Sequence, residues 1–176
     1  AYAVDPGIVR TGAGRPYRVF TPFSRAWRDH GWPPPEVEPR RITWRTAESD
    51  PGARRLLVDA VAGSPISLLP PAGEEAAQER WRSFCAGRIA AYAEDRDRPD
   101  LDASSRLSPY LKVGAIHPRT VLAQLRGWPG RGRERFVTEL AWREFYADVL
   151  WQHPSSASRD LRADLAGMAY EPVDGV

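Results

Sequence analysis

Apolar residues along this chain fall into two regimes that meet near Gly73. Beyond that point they recur at helical spacing. Glu74 and Glu75 open the first periodic stretch, where acidic side chains suit the positive end of a helix dipole. Ala77, Trp81, Phe84, Cys85, Ile89 and Tyr92 follow at the three- and four-residue intervals of a one-faced helix. The spacing predicts a helix to about Glu94 or Arg96, then a polar loop from Asp97 to Ala103. Ser108-Pro109 starts a second helix, with Ser108 as cap and Pro109 in its first turn, and Gly114 ends or kinks it. His117-Pro118 starts a third, running to about Arg126, and Trp128-Pro129-Gly130 is a turn. A fourth, from about Arg133 to Trp151, carries Phe136, Leu140, Phe145, Val149 and Leu150, and Pro154 stops it. Residues Arg159 to Gly167 read as a further short helix.

Before Gly73 the pattern is broken by Pro6-Gly7, Gly12, Gly14, Pro16, Pro22, Pro33-Pro34-Pro35, Pro39, Pro51-Gly52, Pro65 and Pro70-Pro71. Proline interrupts helices and strands alike, so residues 11–72 read as an extended, loop-rich linker joining two folded parts. Short pieces interrupt it. Tyr17 to Phe20 is a brief extended run, and Pro22 to Arg28 forms one or two helical turns capped by Thr21.

Composition narrows the class. No run of about 20 apolar residues exists to cross a membrane. AYAVDPGIVR lacks a basic segment followed by an apolar one, which reads as no secretory signal. The missing initiator Met suits either a piece of a longer protein or removal of that Met. Cys85, the one cysteine, excludes an internal disulfide, fits a reducing, cytoplasmic compartment and reads as an inert core thiol. His30, His117 and His153 lie too far apart for a zinc site. Lys112 is the only lysine among 25 basic residues. Guanidinium suits phosphate, but a GC-rich genome produces the same bias, and a net charge of +2 does not argue for nucleic acid.

Two segments carry chemistry. In Ser104-Ser105-Arg106-Leu107-Ser108-Pro109-Tyr110-Leu111, hydroxyls and a guanidinium gather at a helix start, where free N–H groups and the dipole favour an anion. An ordinary Ser-Pro cap accounts for the same residues. On the fourth helix Glu139, Trp142, Arg143 and Tyr146 share one face. Either Glu139 and Arg143 form a surface pair worth a few tenths of a kcal/mol, or the stripe walls a pocket for a flat, polar ligand.

Taken in order, TPFSRAW, SSRLSPYL and ELAWREFY resemble the photolyase/cryptochrome family, whose patterns are TPF-x-x-W, TSRLSPYL and EL-x-WREFY. The tyrosine of AAYAEDRDRP and the following AIHPRTV also fall in register. The likeness is to a class I cyclobutane pyrimidine dimer photolyase, and it covers nearly the whole chain.

The resemblance implies a mostly α fold. Residues 1–10 would end an α/β antenna domain, 11–72 would form the interdomain linker, and 73–176 would begin the helical FAD-binding domain. It implies that Tyr92 contacts the flavin, that Ser104, Ser105, Arg106, Leu107 and Ser108 bind the phosphate region of FAD, and that Phe136 and Arg143 lie beside the cofactor. Arg96 matches a residue touching DNA phosphate. Glu139 matches an acid between the FAD adenine and the damaged bases, and Trp142 a ring packing on a flipped pyrimidine dimer. Arg143 and Tyr146 belong to the same lesion-facing set. Arg106 and Trp142 are therefore expected to face one hollow.

The implied activity is light-driven repair of pyrimidine dimers in damaged DNA by electron transfer from reduced FAD, in a monomer. Departures are Ser104 for the usual Thr, His117 for Ser, and Phe136 where relatives often carry Trp. The later FAD-binding segment, the tryptophan relay and most of the antenna domain have no counterpart. This chain alone is thus expected to bind FAD weakly or not at all, and not to hold the parent's folate or deazaflavin antenna chromophore. Two other readings stand beside repair. One is a cryptochrome-type FAD photoreceptor; the other is a non-enzymatic helical DNA-binding or interaction module.

Overall fold

The long helix near the C-terminal end organises the molecule. The computed structural model describes residues 1–37, 41–43, 45, 48, 50–62, 70–162, 164 and 168. Its helices are α1 (Phe20–His30), α2 (Pro51–Ala62), α3 (Glu74–Gly87), α4 (Tyr92–Asp95), α5 (Ser108–Val113), α6 (Pro118–Gln124) and α7 (Arg131–Gln152). Turns of 3-10 helix follow α6 at Leu125–Gly127 and α7 at Pro154–Ala157. No strand occurs among the described residues, as a mostly α fold requires.

One apolar cluster joins these elements. α7 buries Phe136, Val137, Leu140, Ala141 and Phe145; α1 adds Phe23 and Trp27, and α3 adds Ala77, Trp81, Phe84 and Cys85. Each such large apolar side chain contributes ~1.5–3 kcal/mol on burial. The aromatic rings interlock: Trp81, Phe84 and Tyr92 all lie within 5.2–5.4 Å of Phe136, centroid to centroid.

α7 also buries two acids, Glu144 and Asp148, which hold the start of the chain. Glu144 accepts from the amides of Ala3 at 2.9 Å and Val4 at 3.0 Å. Asp148 accepts from Gly7 N–H at 2.6 Å. Gly7 has φ +86, and a Cβ there would meet Trp151 Nε1 at 2.8 Å, so the turn needs glycine. Ala3, Val4 and Val9 consequently sit in the common core.

Several expected boundaries moved. α1 begins at Phe20 behind an extended Val19, with no side-chain cap, so Thr21 is inside the helix. Packing explains this: the Phe20 ring stacks on Trp142 of α7 and anchors the first turn. The predicted linker contains α2, for which Asp50 accepts from Gly52 N–H at 2.8 Å in front of Pro51. Asp-Pro was a start signal hidden by the surrounding prolines. The first predicted long helix divides. α3 stops at Gly87, the chain turns, and Tyr92 resumes as α4 because the backbone of α7 crosses at Ile89. Ser108 makes no capping bond; Leu107 holds the cap position with helical angles. Gly114 ends α5 in the left-handed region, φ +81, as read from the sequence. Tyr17 to Phe20 forms no strand. Of the expected helix at Arg159–Gly167, residues 163 and 165–167 lie outside the described residues, and 159–162 are not helical.

Candidate functional site

Three elements converge on a cleft of about 410 Å³ lined by Tyr92, Ser105, Leu107, Ser108, Leu111, Phe136, Glu139, Leu140 and Arg143. α4 brings Tyr92, the loop into α5 brings the serines and Leu107, and α7 brings Phe136, Glu139 and Arg143 one turn apart. Phe136 forms the aromatic floor, only 4% exposed. The mouth is polar, with two hydroxyls, a phenol, a carboxylate and a guanidinium. The volume falls toward the low end of the ~300–1,000 Å³ usual for cofactor sites.

The charges are held from outside the cleft. Glu139 Oε1 lies 2.5 Å from Arg96 Nη1 and 3.2 Å from Arg135 Nε. Two guanidiniums therefore hold this carboxylate in place. Arg143 donates Nη2 to Leu111 O at 3.2 Å, lies 3.6 Å from Glu144, and sits 4.7 Å over the Tyr2 ring. Glu139 and Arg143 are thus not the surface pair that helical spacing alone permits. The Tyr92 phenol is pushed up, first by burial and then by Glu139, although Arg96 and Arg135 oppose the shift. It stays protonated at neutral pH and can donate a hydrogen bond.

Tyr92, Ser105, Leu107, Ser108, Phe136, Glu139 and Arg143 line one cleft, together with Leu111 and Leu140, which their place in the sequence did not single out as site residues. Ser104 and Arg106 do not line this cleft. Ser104 is exposed and turns its carbonyl to Arg80 at 3.2 Å. Arg106 points away because Asp102, four residues earlier, captures its guanidinium at 2.8 Å. Trp142 does not share the hollow either. Its ring stacks on Phe20 at 3.5 Å and 6°, and on Tyr146 at 5.5 Å and 22°. The stripe of α7 therefore divides: Glu139 and Arg143 face the cleft, while Trp142 and Tyr146 build an aromatic stack with α1. Tyr146 is exposed at the outer end of that stack. Arg96 is drawn inward to Glu139 and, at 3.3 Å, to Asp97.

Arg80, Tyr2, Glu144 and Asp148 were missed. In sequence Arg80 is one arginine of many on an exposed helix face. The acids of α7 read as polar-face residues until the first turn of the chain is seen to need acceptors.

No family model matches the chain. Curated relatives do. A deoxyribodipyrimidine photo-lyase of Halobacterium salinarum is 37% identical over 169 residues, 90% of this chain and 35% of that protein. One from Thermus thermophilus is 36% identical over 159 residues, 89% of this chain and 34% of that protein. One from Escherichia coli is 32% identical over 160 residues, 86% of this chain and 33% of that protein. Among solved structures, a bacterial class III photolyase of Agrobacterium tumefaciens superposes with a TM-score of 0.69 at 28% identity, covering 97% of this chain and 37% of that one. The chain spans about a third of the length of the curated relatives it matches. These relatives carry the family rather than the class I assignment. Motifs, helical fold and relatives agree, and this chain belongs to the DNA photolyase/cryptochrome family.

Proposed function

We propose that this chain forms part of the FAD cup of a deoxyribodipyrimidine photo-lyase, a longer protein that repairs cyclobutane pyrimidine dimers in damaged DNA under light. The observation that carries the reading is the convergence of Tyr92, Ser105, Ser108, Phe136, Glu139 and Arg143 on one cleft. The donor set fits a flavin dinucleotide. Hydroxyls and Arg143 suit phosphate, a flat apolar floor suits a ring system, and a fixed carboxylate suits the N–H groups of a base or ribityl hydroxyls.

When bound and reduced, FAD supplies the photo-excited electron that opens the dimer. The side chains hold and shield. Ser105 and Ser108 would hold the phosphates, as hydroxyl donors at the cleft wall. Tyr92, kept protonated, donates to an acceptor at the cleft edge. Glu139, clamped by Arg96 and Arg135, accepts from donors facing it without moving. Phe136 and Leu140 keep water from the floor. Enzymes that act on a base within duplex DNA, photolyases among them, take it out of the stack. Tyr146, exposed at the outer end of the ring stack that Phe20 and Trp142 build beside the cleft, offers the aromatic surface on which an extruded base would stack, worth ~1–3 kcal/mol per base.

The division of the chain into 1–10 as the end of an antenna domain, 11–72 as linker and 73–176 as the start of the helical domain belongs to the same proposal. So do the parent's folate or deazaflavin antenna and a monomeric state. The name photo-lyase on the relatives favours repair over photoreception. The test is dimer loss in irradiated DNA by the full-length parent under blue light and in darkness. Light-dependent loss supports the proposal, and equal, negligible loss in both arms removes it. The 176-residue chain itself should quench flavin fluorescence only weakly in an FAD titration.

A further inference from the structure

The loop that brings Ser105 and Ser108 to the cleft makes little bonding of its own. Leu107 N–H reaches Ser105 Oγ at a long 3.4 Å. Its fixed point comes from α3. Arg80 donates Nε to the Ser105 carbonyl at 2.9 Å and Nη2 to the Ser104 carbonyl at 3.2 Å. Asp102 steadies that guanidinium at 3.7 Å, while also holding Arg88 at 3.2 Å and Arg106 at 2.8 Å. A planar trans peptide points each N–H opposite to the carbonyl before it. Fixing the carbonyls of Ser104 and Ser105 toward α3 therefore turns the N–H groups of Ser105 and Arg106 away from α3. Arg106 takes φ +53 at this point, the one non-glycine positive φ among the described residues. A conformation of that kind persists where its surroundings over-determine it, and the two-carbonyl grip of Arg80 does so.

We infer that Arg80 is a positioning residue for phosphate. It does not line the cleft, but it sets the orientation in which the Ser105 hydroxyl and the loop amides meet the diphosphate of a dinucleotide. This rests on the FAD reading of the cleft given above. Lysine cannot replace the grip in full, since a point charge does not bind two successive carbonyls in a fixed plane.

The test uses the full-length parent protein freed of FAD, as wild type and as three variants, Arg80→Met, Arg80→Lys and Arg82→Met. Arg82 is the control, because it pairs with Glu79 on the solvent side, 65% exposed. FAD and riboflavin, which has the same ring but no phosphate, are titrated by flavin fluorescence anisotropy. Hydrogen exchange of residues 104–108 is followed in the free protein. Arg80→Met should weaken FAD by about tenfold, leave riboflavin unchanged and speed exchange in the loop but not in α7. Arg80→Lys should fall between, and Arg82→Met should match the wild type. Retention of the wild-type preference for FAD over riboflavin in Arg80→Met overturns the inference. If the wild type shows no such preference, the cofactor reading itself fails. Faster loop exchange in Arg80→Met would then leave Arg80 a structural clamp only, which also overturns the phosphate role.

Discussion

Gly132 is the position at which one added carbon should do most damage. It lies in the first turn of α7, where that helix crosses the bend between α3 and α4. A Cβ built there would fall 1.7 Å from the Ile89 carbonyl oxygen, 2.9 Å from Ile89 C and 3.1 Å from Ala90 O. Carbon and carbonyl oxygen meet at about 3.3–3.6 Å, so the two backbones must part by about 1.6 Å or more. Neither partner is a flexible side-chain tip that could swing aside. The separation would loosen Ile89 and Tyr92, buried at 3% and 8% exposure, from Phe136. It would also strain the Arg96–Glu139 pair that spans α4 and α7. On helix propensity alone Gly→Ala gains up to ~1 kcal/mol. Overpacking costs ~1–3 kcal/mol, and contact with rigid backbone belongs at the upper end. The expected net loss is about 2 kcal/mol, or about 1 M in the urea midpoint at an ordinary m-value. Tryptophan fluorescence during urea unfolding measures it. Gly87→Ala is the control, since its Cβ meets nothing within 4 Å. A Gly132→Ala protein with the wild-type midpoint and an unchanged m would refute the close crossing.

Three further outcomes follow from the packing. Burial pushes the Cys85 thiol up to about 11, so a disulfide reagent at pH 8 should label it slowly in the folded chain and rapidly in denaturant; equal rates would contradict its burial. His117 Nδ1 accepts from Arg119 N–H at 3.1 Å, and burial with the Arg119 charge lowers its pKa. The neutral ring makes the cap, so its stabilisation is full above the unfolded value near ~6.5 and is lost as pH falls. His117→Ala should cost ~1 kcal/mol at pH 8 and less at pH 5, and a cost that grew on acidification would count against the cap. Glu144 is shifted upward by burial against the opposing pull of the Ala3 and Val4 amides. The folded state then holds its proton more tightly than the unfolded one, so its contribution declines as pH rises through the unfolded value. The stability difference between wild type and Glu144→Gln should move against the wild type from pH 4 to pH 7, as read by urea midpoints; a movement the other way removes the raised pKa.

The alternation of apolar and polar positions determined much by itself. The spacing of Ala77, Trp81, Phe84 and Cys85 marked the buried face of α3, and that of Phe136, Leu140 and Phe145 marked α7. Gly114 closed α5 as read, and the three motifs carried the family. These features are local, set by helical periodicity and by the φ that glycine allows. What lay out of reach depends on which surface arrives opposite. Glu139, Trp142, Arg143 and Tyr146 occupy one face by sequence. Yet α4 and the serine loop take Glu139 and Arg143 into a cleft, while Phe20 of α1 takes Trp142 and Tyr146 into a ring stack. Asp102 diverts Arg106, and Arg80 becomes a clamp only because two carbonyls come within its reach. A helix's own geometry says which side chains share a side. Long-range packing, which carries most of the free energy, says what that side meets.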